Sequence, residues 1–481
     1  SLEGGQYEWA LESFFGRVGY DWKGRYLAEV NLRWDASSRF RRDKRAAVFP
    51  SVSAGWRVSE EPFFAPIRNT FSNFKIRGSF GSLGNQAISS PYPYIQTLDL
   101  LQQNYLVNGE FLTYASVSAP TAGNFTWETV VHGNLGLDLG FFNNRLTFAG
   151  DLYIRDTKDM LVPGKTLPGV YGAASPKENA ADLRTKGYEL TVSWNDKFNL
   201  AGKPFTYGVS LALGDNISKI TKYDNPTKDF NVSQYYEGMT IGEIWGYQID
   251  GLFQTDEEAA AYQAEIDHSL IAKNILQTAT GKYKGLKAGD PKFVDLDGNG
   301  RIDDGEKTAN NRGDMRIIGN SRPRYNYSGS INLGWNGFDI SAFFQGVGRQ
   351  HRYPDGNNMM FWGGFARPYS SFVPANFLDN VWSEENPNAY LPKIRGYAAQ
   401  GNRSLAHKND RYLQNIAYCR LKNLTVGYTL PTEWTSKIKL DRLRVYFSGD
   451  NLFTWTKLKS DYIDPEQITV NSDARTYPFS K

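Results

Sequence analysis

Between Tyr26 and Trp34 one set of alternate positions reads Tyr26, Ala28, Val30, Leu32 and Trp34, and the other carries Glu29, Asn31 and Arg33, with Asp35 following. In an extended chain successive side chains point to opposite faces, so this period of two makes one face greasy and the other wet. The pattern recurs at 14–22, 48–58, 74–80, 135–141, 146–155, 188–194, 205–213, 325–335, 338–344, 424–430 and 443–447, which predicts twelve strands in all. Lys23-Gly24, Asn143-Asn144 and above all Asn336-Gly337 predict tight turns, the last a two-residue hairpin. Connections at 23–25, 142–144, 196–203 and 336–337 are short, whereas 84–128, 158–185, 218–322 and 349–416 are long. Segments 41–46 and 59–73 are exceptions to that sorting.

A soluble sandwich alternates in order to bury its greasy face in a core. A transmembrane barrel alternates in order to show that face to lipid, with short turns on one rim and long loops on the other. Loop length sorted by parity favours the barrel: an all-β, antiparallel transmembrane fold. The capping box Thr255…Glu258 before an Ala-rich run predicts one helix, to about Ile271, inside the longest loop.

Composition narrows the choice without deciding it. The 481 residues carry 54 Lys and Arg against 51 Asp and Glu, and mean hydropathy is -0.51. No window approaches the roughly 20 apolar residues of a spanning helix, but barrel strands need only about 10, half of them apolar. No basic stripe suggests nucleic acid. The 29 Tyr and 12 Trp suit places with one wet and one greasy side. Cys419 stands alone and the four His are scattered, so neither a disulfide nor a Cys or His metal site is expected. No nucleophile elbow or phosphate loop is present, and no enzyme activity is expected.

One motif is specific. Asp295, Asp297 and Asn299, with Gly300 and Glu306, fit the twelve-residue EF-hand calcium loop. Asp295, Asp297, Asn299, the Arg301 carbonyl and Glu306 would converge on one Ca2+, in a structural role, since no paired helices flank the loop. Aromatic clusters in the long loops offer candidates for contact with cargo or a partner: Tyr92, Tyr94, Phe111 and Tyr114, and then Phe361, Trp362, Phe365, Tyr369 and Phe372. Packing of the loops against one another is the alternative for any one ring. Arg33, Asp35, Arg57, Arg77 and Asp151 read as solvated residues of the wet face.

Longer stretches resemble a known family. Phe15-Gly-Arg17-Val-Gly-Tyr20, Lys23-Gly24-Arg25-Tyr26-Leu27, Arg33-Trp-Asp35-Ala-Ser-Ser38-Arg39-Phe40, Lys186-Gly187-Tyr188-Glu189-Leu190 and Gly449-Asp-Asn451-Leu452-Phe453 are similar to the barrel of SusC/RagA-like TonB-dependent transporters. Gly246-Tyr-Gln-Ile-Asp250-Gly251 ahead of the Asp-rich loop, and Arg420-Leu-Lys422-Asn423, fit as well.

The resemblance implies the C-terminal part of a barrel of about 22 strands, with the plug, N-terminal domain and final strand outside residues 1–481 and further polypeptide supplying the other strands. It implies a Gram-negative outer membrane, with segment 218–322 an extracellular loop. It also implies import of oligosaccharides energised by the TonB complex and assisted by a SusD-like surface lipoprotein. Peptide cargo is the alternative within the class. A passive porin or adhesin, or a secreted calcium-binding β protein (glycan-binding module or hydrolase), are the alternatives outside it.

Overall fold

In a computed structural model the described residues are 7–481, apart from 87, 89–91, 122, 124, 165–166, 174, 272–284, 370–372, 374, 460–463 and 467–481. Twelve strands hydrogen-bond in chain order as one antiparallel sheet. They are β1 (Leu11–Trp22), β2 (Tyr26–Ser37), β3 (Ala46–Arg57), β4 (Phe71–Asn85), β5 (Glu128–Phe141), β6 (Leu146–Pro163), β7 (Lys177–Leu200), β8 (Lys203–Lys222), β9 (Arg324–Trp335), β10 (Phe338–Arg349), β11 (Tyr418–Thr429) and β12 (Arg444–Thr456). All twelve predicted strands are present. The Asn336-Gly337 turn has both residues at positive φ, 48° and 88°, as a primed hairpin turn needs, and it sets Trp335 opposite Phe338.

The chain divides into two compact units, residues 1–194 with 215–240, and residues 195–214 with 241–481. In the first unit no described residue forms a covering layer over the greasy face of β1–β3. Phe14, Val18, Val30, Leu32 and Val52 are each more than half exposed, while Tyr26 is 44% exposed and Trp34 half-buried. Cross-strand pairs run along that face, Phe14 with Trp34 and Tyr26 with Trp56, at ring separations of 5.6 and 6.3 Å. A sandwich would have covered these side chains, so that alternative is excluded for this face.

The sequence pattern understates β6–β8. The stretch 158–185, expected as a long loop, is mostly strand, and only 164–176 connects β6 to β7. In β7 the part between Lys177 and Lys186 mixes charged and small residues on both faces, so it carries no greasy–wet alternation to read. Cross-strand polar contacts hold it instead: Arg184 forks onto Asp156 at 2.7 and 2.8 Å, and Lys158 reaches Asp182 at 3.0 Å. One face of this end is covered, with Asn179, Ala181 and Thr185 buried. Inside the expected loop 84–128 lies a two-stranded hairpin, Leu98–Val107 with Glu110–Val117, which the pattern also missed.

In the second unit the long loops build a packed body of their own. Trp362, Phe365, Leu405 and Tyr412 are buried together, with Phe361, Phe377, Val381 and Leu391 around them. An Arg395 fork onto buried Asp290, at 2.6 and 2.7 Å, ties the 350–417 segment to the 223–323 segment. Helix α1 (Asp256–Glu265) starts as expected, with the Thr255 hydroxyl accepting the Glu258 N–H at 3.1 Å, but it stops at Glu265 rather than near Ile271. Its carboxylate partner in the cap, Glu258, accepts the N–H of Gln254.

Candidate functional site

The wet face of the sheet is organised by ion pairs. Arg77 on β4 forks onto Asp151 of β6 at 2.6 Å through both terminal nitrogens, and its Nε lies 3.2 Å from Asp138 of β5. Arg33 lies 2.8 Å from Asp35, which is 7% exposed. These were expected as freely solvated charges. They are instead ion-paired: Arg77 reaches across two strands to Asp151, and Arg33 reaches two residues along its own strand to Asp35.

The loop aromatics divide sharply. Trp362 is fully buried, donates its Nε1 hydrogen to the Pro354 carbonyl at 3.3 Å, and packs edge-on to Phe361 and Tyr412. Phe361 and Phe365 are buried with it. As candidates for cargo contact these three are corrected: they are the core of the loop body, and none offers a free ring face. Tyr92 and Tyr94 are half-buried, the first donating its hydroxyl to the Glu8 carbonyl, the second to that of Ser38 at 3.3 Å. Tyr369 is 91% exposed, the most open of the described candidate rings. Phe372 lies outside the described residues. Phe111 and Tyr114 lie on the exposed hairpin.

The Asp-rich loop folds around its first residue. Asp295 Oδ1 accepts the N–H of Gly298 at 2.8 Å and Oδ2 that of Gly300 at 2.8 Å, with Gly298 and Gly300 both at positive φ. Asp297 accepts the Asn299 N–H, and Asn299 Oδ1 accepts that of Arg301 at 2.9 Å. The carboxylates brought together are Asp295, Asp297 and Asp314, each with an oxygen within 4.8 Å of the others. Glu306, the twelfth residue of the motif, is exposed and stands outside this group.

Asp314 joins Asp295 and Asp297 because residues 304–313 form an excursion pinched at its base. The Asp303 N–H donates to Asp314 Oδ2 at 2.8 Å, and the Asp314 N–H to the Asp303 carbonyl at 3.1 Å. Gly305 and Gly313 meet there so closely that a Cβ on Gly305 would lie 2.5 Å from the Gly313 nitrogen. Asp314 has no exposed surface. Burial, and next to it the Asp297 carboxylate, pushes its carboxyl above the ordinary value against the pull of backbone N–H groups. No spacing rule points to a residue so far past the motif. The pair of glycines flanking the excursion was the available signal.

The family described as TonB dependent receptor-like, beta-barrel matches residues 3–268. TonB-dependent receptor P3 of Formosa agariphila is 31% identical over 478 residues, covering 95% of this chain and 42% of that protein. TonB-dependent receptor SusC of Bacteroides thetaiotaomicron is 28% identical over 479 residues, covering 97% and 42%. Among solved structures, the RagAB peptide transporter superposes with a TM-score of 0.67 at 23% identity, over 95% of this chain and 45% of that one. The chain spans less than half the length of the curated relatives it matches.

Proposed function

The chain belongs to the TonB-dependent receptor-like β-barrel family, a non-enzymatic class of the outer membrane, and from that premise we propose that it forms the C-terminal wall and extracellular loops of an importer of oligosaccharides. Import is energised by the TonB complex, and a SusD-like surface lipoprotein closes the extracellular mouth. One observation carries the reading: a twelve-stranded sheet whose greasy face is exposed and whose other face is wet and ion-paired. Strands that face lipid on one side and water on the other do this, and their edges must be paired by more polypeptide, because an unpaired backbone group in hydrocarbon costs several kcal/mol.

The work of such a protein is conformational and electrostatic: a cargo enters through the loop-lined mouth and passes along a polar wall. Glycan is the favoured cargo because the resemblance is to the SusC/RagA-like class, in which oligosaccharide import is the commoner role. The solved relative described as a peptide transporter keeps peptide as the competing cargo. The test is deletion of the gene for the full-length protein, followed by uptake of labelled oligosaccharides and of labelled oligopeptides by whole cells. Loss of glycan uptake alone supports the proposal. Loss of peptide uptake alone replaces the cargo, and no loss of either overturns the importer.

The Asp-rich loop is proposed to hold one Ca2+ through Asp295, Asp297, Asn299 and the Arg301 carbonyl, with Asp314 in the position first assigned to Glu306. The residues fit a hard cation: all donors are oxygens, and three carboxylates crowd together with one wholly buried. An ion there relieves their repulsion and fastens the 223–323 segment.

A further inference from the structure

In the second unit, a polar cleft of about 390 Å³ lies between the turn at 352–357 and the turn at 399–408. Its walls are fixed without help from a ligand. Arg352 pairs with Gln414 in a short ladder. The Tyr353 hydroxyl donates to the Leu405 carbonyl at 2.8 Å and accepts from Asn409 at 2.7 Å. Asn357 Oδ1 accepts from Gln400 and from Arg367, both at 3.1 Å. Gly356 runs so close to the opposite wall that a Cβ on it would lie 2.0 Å from the Ala399 carbonyl.

The lining is unbalanced in charge. Arg352 and Lys408 bring two cations, and Asp355 is the single carboxylate, with one oxygen already accepting the Asn357 N–H at 2.9 Å. The backbone of Lys408 is anchored, since its carbonyl accepts the Tyr247 N–H at 2.8 Å. Its ammonium has no hydrogen-bond or ion-pair partner among the described residues. Lys408 is exposed at the surface, yet the protein mass around its ammonium withdraws water and the Arg312 guanidinium adds repulsion, so the group is held below its ordinary value. Lys408 thus has no counter-charge of its own in a cleft that Arg352 also lines.

We propose that this cleft binds an acidic group of the cargo, a carboxylate or a sulfate ester, with Lys408 and Arg352 as its cationic contacts. This rests on the reading of the chain as part of a cargo importer, and it narrows that cargo to an anionic oligosaccharide. An Arg fork and a Lys point charge together suit such an oxyanion.

The test measures binding by calorimetry on the full-length protein in detergent, with trigalacturonate, a sulfated galactan trisaccharide and neutral galactotriose. An acid-bearing probe is expected to bind at least about ten-fold tighter than the neutral one, the size of one charge-assisted contact. Lys408→Met removes that preference and leaves neutral binding unchanged; Lys408→Arg retains most of it. The probe whose affinity falls in Lys408→Met identifies carboxylate or sulfate as the group held. Equal binding of acidic and neutral probes, no binding of either acidic probe, or a preference untouched by Lys408→Met overturns the cleft.

Energised uptake by whole cells separates the two claims. If wild type shows no uptake but keeps a preference that Lys408→Met abolishes, the importer fails and the cleft stands. If wild type takes up the acidic probe and Lys408→Met takes it up equally well, the cleft fails and the importer stands.

Discussion

The first three strands and the loop body at 350–417 are both rich in large apolar side chains, and the two regions treat them in opposite ways. In β1–β3 such side chains stand exposed, as with Val18 at 73%. In the loop body Trp362 and Phe365 have no exposed surface. The difference teaches what each region has for solvent. Hydrocarbon is as apolar as the side chains, so a strand loses nothing by showing them to it, whereas water drives the loop aromatics into a core.

The sharpest break of this contrast is truncation at equal chemistry. Trp362→Ala should cost about 3–5 kcal/mol of loop-body stability, as removal of a buried aromatic does. Limited proteolysis of the purified full-length protein should then cleave within 350–417 far faster than in wild type. Leu32→Ala should leave that pattern unaltered. Unchanged protection in Trp362→Ala would mean the ring packs against nothing essential.

Charge tests the other side. Val30→Arg on the greasy face should cost about 2–4 kcal/mol if the residue sits near the bilayer midplane, less toward either rim. Refolding into lipid vesicles, followed by the heat-modifiable mobility shift of folded barrels, measures it. Val30→Leu should be neutral. An Arg accepted without loss would argue that this face meets water.

Chelation probes the loop side at intermediate size. Removing Ca2+ should expose 290–320 to protease, and Asp314→Asn should mimic removal where Glu306→Gln does not. The pH dependence has a definite sign. The Asp314 carboxyl is raised in the folded loop, so the folded state holds its proton more tightly than an unfolded one, and without calcium the loop is most stable below the ordinary carboxylate range and loses that stability as pH rises through the raised value. With calcium the order reverses, because proton and cation compete for the same oxygens. Hydrogen exchange at two pH values, with and without chelator, reads both slopes.

The smallest effects are expected on the wet face and at the open ring. Asp151→Asn removes one partner of Arg77 but leaves Asp138, and it should cost on the order of 1 kcal/mol in thermal unfolding. Tyr369→Ala should change stability by less than about 0.5 kcal/mol. A change in cargo or partner binding in that variant would therefore report contact rather than folding.

Much of the wall was legible because lipid and water impose a rule at every second residue. Val30 and Glu29 announce their faces without knowledge of any neighbour. The extensions in β6 and β7 were not legible, because Asp156 and Arg184 are chosen by each other across the sheet and obey no solvent rule. The same holds for the candidate sites. The motif from Asp295 to Arg301 is local and could be read directly, whereas Asp314, which the structure groups with Asp295 and Asp297, comes after a ten-residue excursion. Trp362 could be read either as a contact for cargo or as loop packing, because composition alone does not say whether a ring in a loop is covered; the structure shows it packed.

What the sequence alone determined is the alternation, the turns, the order of short and long connections and the resemblance to one family, all of which depend on spacing along the chain. Only the tertiary structure decided that Asp314 joins Asp295, that Trp362 and Phe365 are core, and that Arg352 and Lys408 share a cleft. Those outcomes depend on which distant segments meet, and long-range closure within the loops leaves no periodic trace in the residues that it brings together.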